Sequence, residues 1–442
     1  MNKFSREQYK IVITGQGYVG LVLGACLAEK GYKILGLDND QGKINQLSKG
    51  MCSIYEPGLQ EIIQKNINNG NLFFSTDCQN AYQDAEYIFI CVGTPEMDNG
   101  CANLNYVVAC ALQIAEYVTR DCTIIIKSTV PIGTNSQIES YIRENLKHDV
   151  NINVVSNPEF LSQGSAVSDM MNGRIVIGTD DEEAKQKVSS LYEPFKCPVV
   201  FASRESAELI KYASNNFLSL KISYINEIAT LCELTGCDIH DIVAGMSLDE
   251  RIGDQFLRAG IGYGGSCFEK DAKALCHIAQ ENGYHLKTVE AGLKVNNEQK
   301  THMLMKAIQC VNLNNLKVAV LGLTFKPETD DVRNAPSLDN VKRLLDLGSH
   351  IVAYDPVGVS SFMKHFPEGE YGKGSIRYKQ SAEEALTDAD ICFIFTEWQE
   401  FKELDPSIFI KRMKCPRVFD GRNIYMKKKM IDLGIKYYSV GN

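Results

Sequence analysis

The chain has 442 residues, of which 44% are hydrophobic and 23% charged, and it carries a formal net charge of −9 at pH 7. This length predicts two or three domains with ample core, and the acidic balance argues against general binding to nucleic acids or anionic membranes. Fifteen cysteines without a Cys-x-x-Cys pair and seven histidines without ligand spacing predict neither a disulfide framework nor a metal site.

The N-terminal stretch, residues 1–10, is too polar for a signal peptide. No apolar run approaches the roughly 20 residues that a membrane span needs. We therefore expect a cytoplasmic protein without a membrane partner.

The first predicted element is a buried strand over residues 10–14, which leads into a turn of the pattern Gly-x-Gly-x-x-Gly. A helix over residues 21–30 and a second strand over residues 33–37 follow, and Asp38 comes directly after that strand. In a dinucleotide fingerprint the glycines let a pyrophosphate approach the helix N-terminus, and the acid binds ribose hydroxyls. This carboxylate should repel a 2′-phosphate, which favours NAD over NADP. The residues expected to bind NAD are Gly15, Gly17, Tyr18, Val19, Gly20 and Asp38.

Three further predicted strands, over residues 87–92, 123–127 and 152–155, each end in a polar loop. Ligands of an open parallel sheet lie beyond the carboxyl ends of its strands, so Thr94, Thr129 and Glu159 are candidate site residues. For Thr94 and Thr129 the alternative is turn chemistry, since Gly, Pro and Thr also merely end strands.

A long helix is predicted over residues 203–233. Roughly 30 helical residues span on the order of 45 Å, which suits a connector between domains and a dimer interface. Lys211 and Asn215 share one face of this helix, and their apolar neighbours argue against a solvated polar stripe. The broad apolar face consists of Leu209, Ile210, Ala213, Phe217, Leu220, Tyr224, Ile225, Ile228 and Leu231.

Residues 262–271, Gly-Tyr-Gly-Gly-Ser-Cys-Phe-Glu-Lys-Asp, place a thiol, a cation and a carboxylate beside three glycines. Glycines allow unusual backbone geometry and bring main-chain amides close to a ligand. Cys267, beside Lys270 and Asp271, can be exposed and have its thiolate favoured by positive charge. The alternative is a tight turn around a buried, inert thiol, because free cysteines are usually small core residues.

The C-terminal third repeats the first pattern, with predicted strands over residues 317–322, 351–355, 390–395 and 417–419 and a helix over residues 336–347. The glycine-rich turn is replaced by Gly322-Leu323-Thr324-Phe325-Lys326. Lys326, Arg333 and Arg422 are cations that fit binding of a different nucleotide. Solvated surface charge is an equally good interpretation of any one of them alone.

Together these motifs resemble the UDP-glucose dehydrogenases within the wider nucleotide-sugar 6-dehydrogenases, over nearly the whole chain. The motifs are residues 15–20, Ser128-Thr129-Val130-Pro131, Asn157-Pro158-Glu159-Phe160-Leu161, Ala207-Glu208-Leu209-Ile210-Lys211-Tyr212 with Asn215, Arg251-Ile252-Gly253, Gly264-Gly265-Ser266-Cys267-Phe268 with Lys270-Asp271, Phe325-Lys326, and Phe419-Asp420-Gly421-Arg422.

The resemblance implies an α/β fold with two Rossmann-like doubly wound domains joined by a long central helix. Residues 1–202 would form the NAD-binding domain, and residues 203–305 a helical dimerisation region with the catalytic cysteine loop. Residues 306–442 would form the UDP-sugar-binding domain. The implied oligomer is a homodimer in which Arg251 reaches the substrate of the partner subunit.

The implied reaction is NAD-dependent oxidation of UDP-glucose to UDP-glucuronate, which uses two NAD and one water and supplies nucleotide-sugar precursors for polysaccharide synthesis. It would pass through a thiohemiacetal and a thioester on Cys267. The implied catalytic residues are Cys267, Lys211, Asn215, Asp271, Glu159 and Thr129. Further cofactor contacts are expected from Lys43, Thr94, Thr129, Gln163 and Arg333. Substrate contacts are expected from Glu159, Phe160, Leu161, Lys211, Asn215, Arg251, Tyr263, Gly264, Phe325, Lys326 and Arg422.

One position departs from the family pattern. Gln163 stands where the family commonly has a second glutamate, so use of this residue as a base is put in doubt. The alternatives are another nucleotide-sugar 6-dehydrogenase, acting on GDP-mannose or UDP-N-acetylmannosamine, a two-electron hydroxyacid dehydrogenase, and a nucleotide-sensing module that binds NAD without turnover.

Overall fold

The computed structural model describes residues 10–442. The chain forms two compact units. One unit comprises the chain up to Ser214 together with Lys273–Tyr284, and the other comprises Asn215–Ala272 together with His285–Asn442.

The first unit is built on an eight-stranded sheet in the order β3-β2-β1-β4-β5-β6-β7-β8. All neighbouring strands are parallel except β6 and β7. Strands buried on both faces are typical of parallel sheets covered by helices, and the apolar runs of the sequence provide them. The strands are β1 Ile11–Thr14, β2 Ile34–Leu37, β3 Leu72–Ser75, β4 Tyr87–Ile90, β5 Cys122–Ile126, β6 Ile152–Ser156, β7 Ile175–Gly178 and β8 Val199–Ala202.

Helices connect these strands and form two apolar clusters with them. One cluster contains the inner face of α1, and the other contains that of α5. The helices are α1 Tyr18–Glu29, α2 Gln41–Leu47, α3 Leu59–Asn68, α4 Cys78–Gln83, α5 Asn105–Tyr117, α6 Thr134–Asn145, α7 Ala166–Asn172 and α8 Glu182–Tyr192.

Five helices lie between the two sheets in the sequence. They are α9 Arg204–Thr235, α10 Ile239–Ser247, α11 Phe268–Glu281, α12 Lys287–Gln299 and α13 His302–Cys310. Helices α9 and α11 each continue from one unit into the other. The predicted long helix is therefore confirmed, with its end two residues later than expected.

The apolar face predicted for α9 is in large part exposed. Leu209, Phe217, Tyr224 and Leu231 are exposed, with 64% of Phe217 open to solvent. Polar side chains that include Lys211 and Asn215 form the buried stripe instead. The sequence pattern locates an apolar stripe, but it does not indicate whether the same chain covers that stripe.

The second unit contains a seven-stranded sheet in the order β11-β12-β10-β9-β13-β14-β15, parallel except between β11 and β12. Its strands are β9 Lys317–Leu321, β10 His350–Tyr354, β11 Gly369–Tyr371, β12 Gly374–Tyr378, β13 Ile391–Ile394, β14 Arg417–Asp420 and β15 Lys436–Tyr438. Its helices are α14 Pro336–Asp346, α15 Val359–Phe362, α16 Ala382–Leu386, α17 Gln399–Glu403, α18 Ser407–Arg412 and α19 Lys427–Asp432.

The predicted α/β class with two doubly wound units is confirmed by these two sheets. The largest difference at a predicted boundary is at α1, which begins at Tyr18 rather than at residue 21. The last part of the glycine pattern is thus already the first turn of the helix. Within residues 10–442, no helix is long and apolar enough to span a membrane, and no group of three or more His, Cys, Asp or Glu side chains is arranged to hold a metal ion.

Candidate active site

The glycine turn after β1 brings the backbone close to the N-terminus of α1. Gly15 has φ +92°, a left-handed value that favours glycine. A Cβ on Gly20 would lie 1.9 Å from the Gly15 carbonyl oxygen, so only glycine fits there, whereas a Cβ on Gly17 would meet nothing within 4 Å. The turn is therefore closely packed between Gly15 and Gly20 and open at Gly17. This open position leaves space for a pyrophosphate to approach the backbone.

Asp38 lies at the carboxyl end of β2, beside this turn. Its Oδ2 accepts hydrogen bonds from the Gln16 backbone N–H at 2.8 Å and the Lys43 ammonium at 2.9 Å. Burial alone would raise the pKa of Asp38, but the bonds from Lys43 and from the backbone N–H groups of Asp40 and Gln16 outweigh burial and lower the pKa. Asp38 is therefore held as a carboxylate.

The loops after β4 and β5 are tied together. The Thr94 hydroxyl donates to the Thr129 carbonyl oxygen at 2.8 Å, and the Ser128 hydroxyl donates to the Val92 carbonyl oxygen at 2.7 Å. Both loops stand at the carboxyl ends of adjacent strands, beside β1. The hydroxyl of Thr94 is thus used to hold the Thr129 backbone.

Glu159 follows β6 and forms an ion pair with Lys211 of α9. The Lys211 ammonium lies 2.8 Å from Glu159 Oε1, and both side chains are more than nine-tenths buried. The Leu161 backbone N–H donates to Glu159 Oε2 at 2.5 Å. Burial by itself would raise the pKa of Glu159, but the charge and hydrogen bond of Lys211, the Leu161 N–H and the charge of Lys127 together outweigh burial and lower the pKa. Glu159 is thus ionised and paired with the Lys211 ammonium.

The segment after Leu161 is held by a residue that sequence reasoning missed. Glu56 is buried, and its carboxylate accepts the backbone N–H groups of Gly164 and Ala166, each at 2.7 Å. The Tyr18 hydroxyl also accepts from the Gly164 N–H, at 3.0 Å. Gln163 therefore lies on a segment that contacts the dinucleotide turn. The sequence held one indication of this role, because Glu56 is an acidic residue placed between Ile54-Tyr55 and Pro57-Gly58.

Asn215 and Asp271 meet in the second unit. The Asn215 side-chain amide donates to Asp271 Oδ2 at 2.7 Å, and the Lys270 ammonium lies 2.7 Å from Asp271 Oδ1. Asp271 is 1% exposed. Because α9 carries Lys211 and Asn215 one turn apart, a single helix positions members of both hydrogen-bonded groups.

Cys267 immediately precedes α11 and is exposed. Its carbonyl oxygen accepts the Asp271 N–H at 2.8 Å, which is the first bond of the helix. A helix N-terminus stabilises negative charge and favours a thiolate. The interpretation of Cys267 as a buried thiol is therefore wrong.

Backbone contacts within the second unit fix the glycine loop before Cys267. The Gly265 N–H donates to the Arg333 carbonyl oxygen at 2.8 Å, and the Asn334 side chain donates to the Gly265 carbonyl oxygen at 3.2 Å. A Cβ on Gly264 would lie 2.4 Å from the Asn334 carbonyl oxygen. Glycine is required where these two segments touch, so the loop and the segment containing Arg333 are positioned together.

The three predicted cations of the second unit differ in their surroundings. The Arg422 guanidinium donates to the carbonyl oxygens of Phe395 and Gly262 at 2.8 and 3.0 Å. Arg333 pairs with Asp331 at 2.6 Å, and the Lys326 ammonium lies 5.7 Å from the centre of the Phe325 ring. Arg422 therefore fastens the cysteine loop to the end of β13.

The remaining predicted substrate residues have contrasting exposures. Tyr263 is buried, and its ring packs edge-on against Phe268 at 5.5 Å. Phe160 and Leu161 are partly buried, and the Phe160 ring lies 4.0 Å from the Arg174 guanidinium. The Arg251 side chain is 89% exposed and pairs with Asp249 at 2.6 Å.

The residues of the first unit fit NAD. The turn is open at Gly17, where a side chain would stand in the way, and the Asp38 carboxylate can accept ribose hydroxyls. A 2′-phosphate would meet like charge at Asp38.

Family models match most of the chain. The NAD binding domain of the UDP-glucose/GDP-mannose dehydrogenase family matches residues 9–196. Its central domain matches residues 205–298, and its UDP binding domain matches residues 319–427. The first match covers most of the eight-stranded sheet, the second lies within the five helices that follow it in the sequence, and the third covers most of the seven-stranded sheet.

Relatives match over almost the full length. The chain is 44% identical over 433 residues to "UDP-glucose 6-dehydrogenase YwqF" of Bacillus subtilis, covering 98% of this chain and 97% of the relative. A solved UDP-glucose dehydrogenase from Pyrobaculum islandicum has a TM-score of 0.89 and 32% identity, with 99% of both chains covered. A UDP-D-ManNAc dehydrogenase from Pyrococcus horikoshii has a TM-score of 0.85 and 25% identity, covering 98% of this chain and 99% of that one. The chain belongs to the UDP-glucose/GDP-mannose dehydrogenase family.

Proposed function

We propose that this protein is an NAD-dependent dehydrogenase that oxidises UDP-glucose to UDP-glucuronate with two NAD and one water. The observation that carries the proposal is Cys267, an exposed thiol at the N-terminus of a 14-residue helix. A two-electron dehydrogenase has no use for such a nucleophile, whereas in an alcohol-to-acid oxidation a thiol holds the aldehyde as a covalent adduct for the second oxidation. The two-electron and the sensing alternatives are not favoured, since neither requires it.

The chain's own residues would act as follows. Lys211 would stabilise the oxyanions that form at C6, and Cys267 would add its thiolate to the aldehyde to give a thiohemiacetal. Bound NAD supplies the hydride acceptor in each of the two oxidations, the second of which converts the thiohemiacetal to a thioester. Asn215 and Asp271, already hydrogen-bonded at 2.7 Å, would orient a water.

Hydrolysis of the thioester needs a group that removes a proton from the attacking water. Glu159 is ionised and can accept that proton, although its lowered pKa makes it a weaker base. Gln163 cannot accept a proton at neutral pH. We therefore assign this step to Glu159, with Asp271 as the alternative.

The nucleotide part of the substrate would bind the second unit. We propose residues 1–202 as the NAD-binding domain, 203–305 as the central region and 306–442 as the UDP-sugar-binding domain. Lys326, on the segment that contacts the glycine loop, would neutralise a diphosphate. The partly buried Phe160 and Leu161 and the glycine loop are proposed to contact the sugar.

We propose a homodimer. The exposed apolar side chains of α9 include Phe217, Leu231 and Leu234, the last 80% exposed. Burying such a face against a second copy would be favourable. Arg251, exposed on its own chain, would reach the partner's substrate. Mixing Arg251→Ala subunits with Cys267→Ala subunits should restore some activity, and no recovery in verified heterodimers would contradict the shared site.

The substrate is tested with purified protein, NAD and a panel of UDP-glucose, UDP-N-acetylmannosamine and GDP-mannose, following NADH formation. UDP-glucose should have the largest kcat/KM. Faster oxidation of either other sugar would instead identify this chain as another nucleotide-sugar 6-dehydrogenase. We also propose that the protein is located in the cytoplasm, as predicted from the sequence.

A further inference from the structure

Lys127 is a buried cation directly after β5 that the proposed chemistry does not use. It is 2% exposed. Its ammonium donates to Asn157 Oδ1 at 3.1 Å and to the Asn157 carbonyl oxygen at 3.4 Å. Burial of the charge lowers the pKa of Lys127 to about 8. A buried charge bonded to neutral groups costs folding free energy, so stability alone does not explain a lysine here.

The partner of Lys127 lies two residues before Glu159 in the sequence. The Asn157 side-chain amide donates to the Val176 carbonyl oxygen at 2.7 Å, and the Tyr192 hydroxyl donates to Asn157 Oδ1. The strand end that carries Glu159 is thus fixed by β5, β7 and α8. Of the three residues bonded to Asn157 through these contacts, Lys127, Val176 and Tyr192, only Lys127 is charged.

The groups around Glu159 come from several elements. Lys211 of α9 pairs with its carboxylate directly. Lys127 after β5 also acts on it electrostatically, and the thiol of Cys91 after β4 is a neighbouring titratable group. Burial raises the pKa of Cys91 to about 12 and that of Tyr192 well above its usual range, so both stay neutral. The two lysines are therefore the cations that act on Glu159 through these contacts.

We propose that Lys127 is a positioning residue for the reaction, which holds the strand end that carries Glu159 and keeps that carboxylate ionised beside Lys211. The inference rests on the proposed function, in which Glu159 accepts the proton from water. Lys127 acts through Glu159 and touches no reacting atom.

The test compares the pH dependence of kcat for the wild type and Lys127→Met, whose unbranched side chain is one atom shorter and carries no charge. Loss of the cation removes one of the charges that lower the pKa of Glu159, so the acid limb of kcat should move to higher pH. Lys127→Gln, which can still donate to Asn157, should show the same shift and carries the test if Lys127→Met does not fold. Tyr192→Phe is the matched control, since it removes a bond to Asn157 without changing charge, and its acid limb should coincide with that of the wild type.

A double variant checks that the effect passes through Glu159. In a Glu159→Gln background, Lys127→Met should cause no further shift of the acid limb. An active wild type whose acid limb coincides with that of both Lys127 variants would overturn the inference alone. A wild type that forms no NADH with UDP-glucose would overturn the proposed function and the inference with it.

Discussion

The two units of this protein begin with the same local structure and use it differently. In the first, β1 is followed by Gly15 with φ +92°, and its N–H donates to the Leu37 carbonyl oxygen at 2.8 Å. In the second, β9 is followed by Gly322 with φ +91°, and its N–H donates to the Tyr354 carbonyl oxygen at 2.9 Å. Each turn also has an aspartate after the neighbouring strand.

The aspartates differ in what surrounds them. Asp38 accepts backbone N–H groups and pairs with Lys43, and it is partly exposed. Asp355 is 2% exposed, and it accepts hydrogen bonds from the backbone N–H groups of Leu323 and Gly358 at 2.7 Å and from the Trp398 indole at 3.0 Å. Asp355 has no capacity left for a ribose, so its part is structural.

The turns differ in length. Three residues, 15–17, separate β1 from α1, whereas residues 322–335 separate β9 from α14. The longer segment carries Lys326 and Arg333 and contacts the cysteine loop at Gly265. A shared strand-turn-acid pattern therefore does not indicate a shared ligand.

Of the substitutions considered, Asp355→Asn should change the free energy of unfolding most. The substitution places an amide donor against N–H donors, so at least one is left without an acceptor, and we expect a loss of about 3 kcal/mol in the free energy of unfolding. Urea denaturation measures it. Asp38→Asn, the equivalent change in the first unit, should cost less than about 1 kcal/mol, and equal losses would remove the distinction between the two acids.

Asp38→Asn should also weaken cofactor binding, with a smaller change in free energy than that expected for Asp355→Asn. Loss of the negative charge weakens the bonds to ribose hydroxyls, so KM for NAD should rise about tenfold, and NADP should become a better substrate than it is for the wild type. Steady-state kinetics with both cofactors measure this. An unchanged preference for NAD would show that another group excludes the 2′-phosphate.

The sequence predicted those parts of the site whose residues are neighbours in the chain. The turn from Gly15 to Gly20, the shared helix of Lys211 and Asn215, and the loop around Cys267 are local patterns. The charge of Lys127 and the carboxylate of Glu56 were missed, because their partners, Asn157 and Gly164, lie far away in the sequence. Only the packed sheet brings these groups together.

The same limit explains the misjudged exposure on α9. A period of 3.6 residues identifies an apolar stripe, and burial of that stripe is the usual outcome. Here the polar side chains of Lys211, Asn215 and Asn226 are buried instead, because they belong to hydrogen-bonded groups inside the chain. Patterning alone cannot distinguish an internal core from a face left for a partner.

We propose that Cys267 carries a covalent intermediate through two oxidations of one substrate molecule. It is tested by counting the NADH formed per UDP-glucose consumed, with UDP-glucose limiting and NAD in excess, in the wild type and in Cys267→Ser. We expect two NADH per UDP-glucose for the wild type, UDP-glucuronate as the product, and loss of that turnover in the variant. One NADH per UDP-glucose with release of an aldehyde, or unchanged turnover in Cys267→Ser, would contradict it.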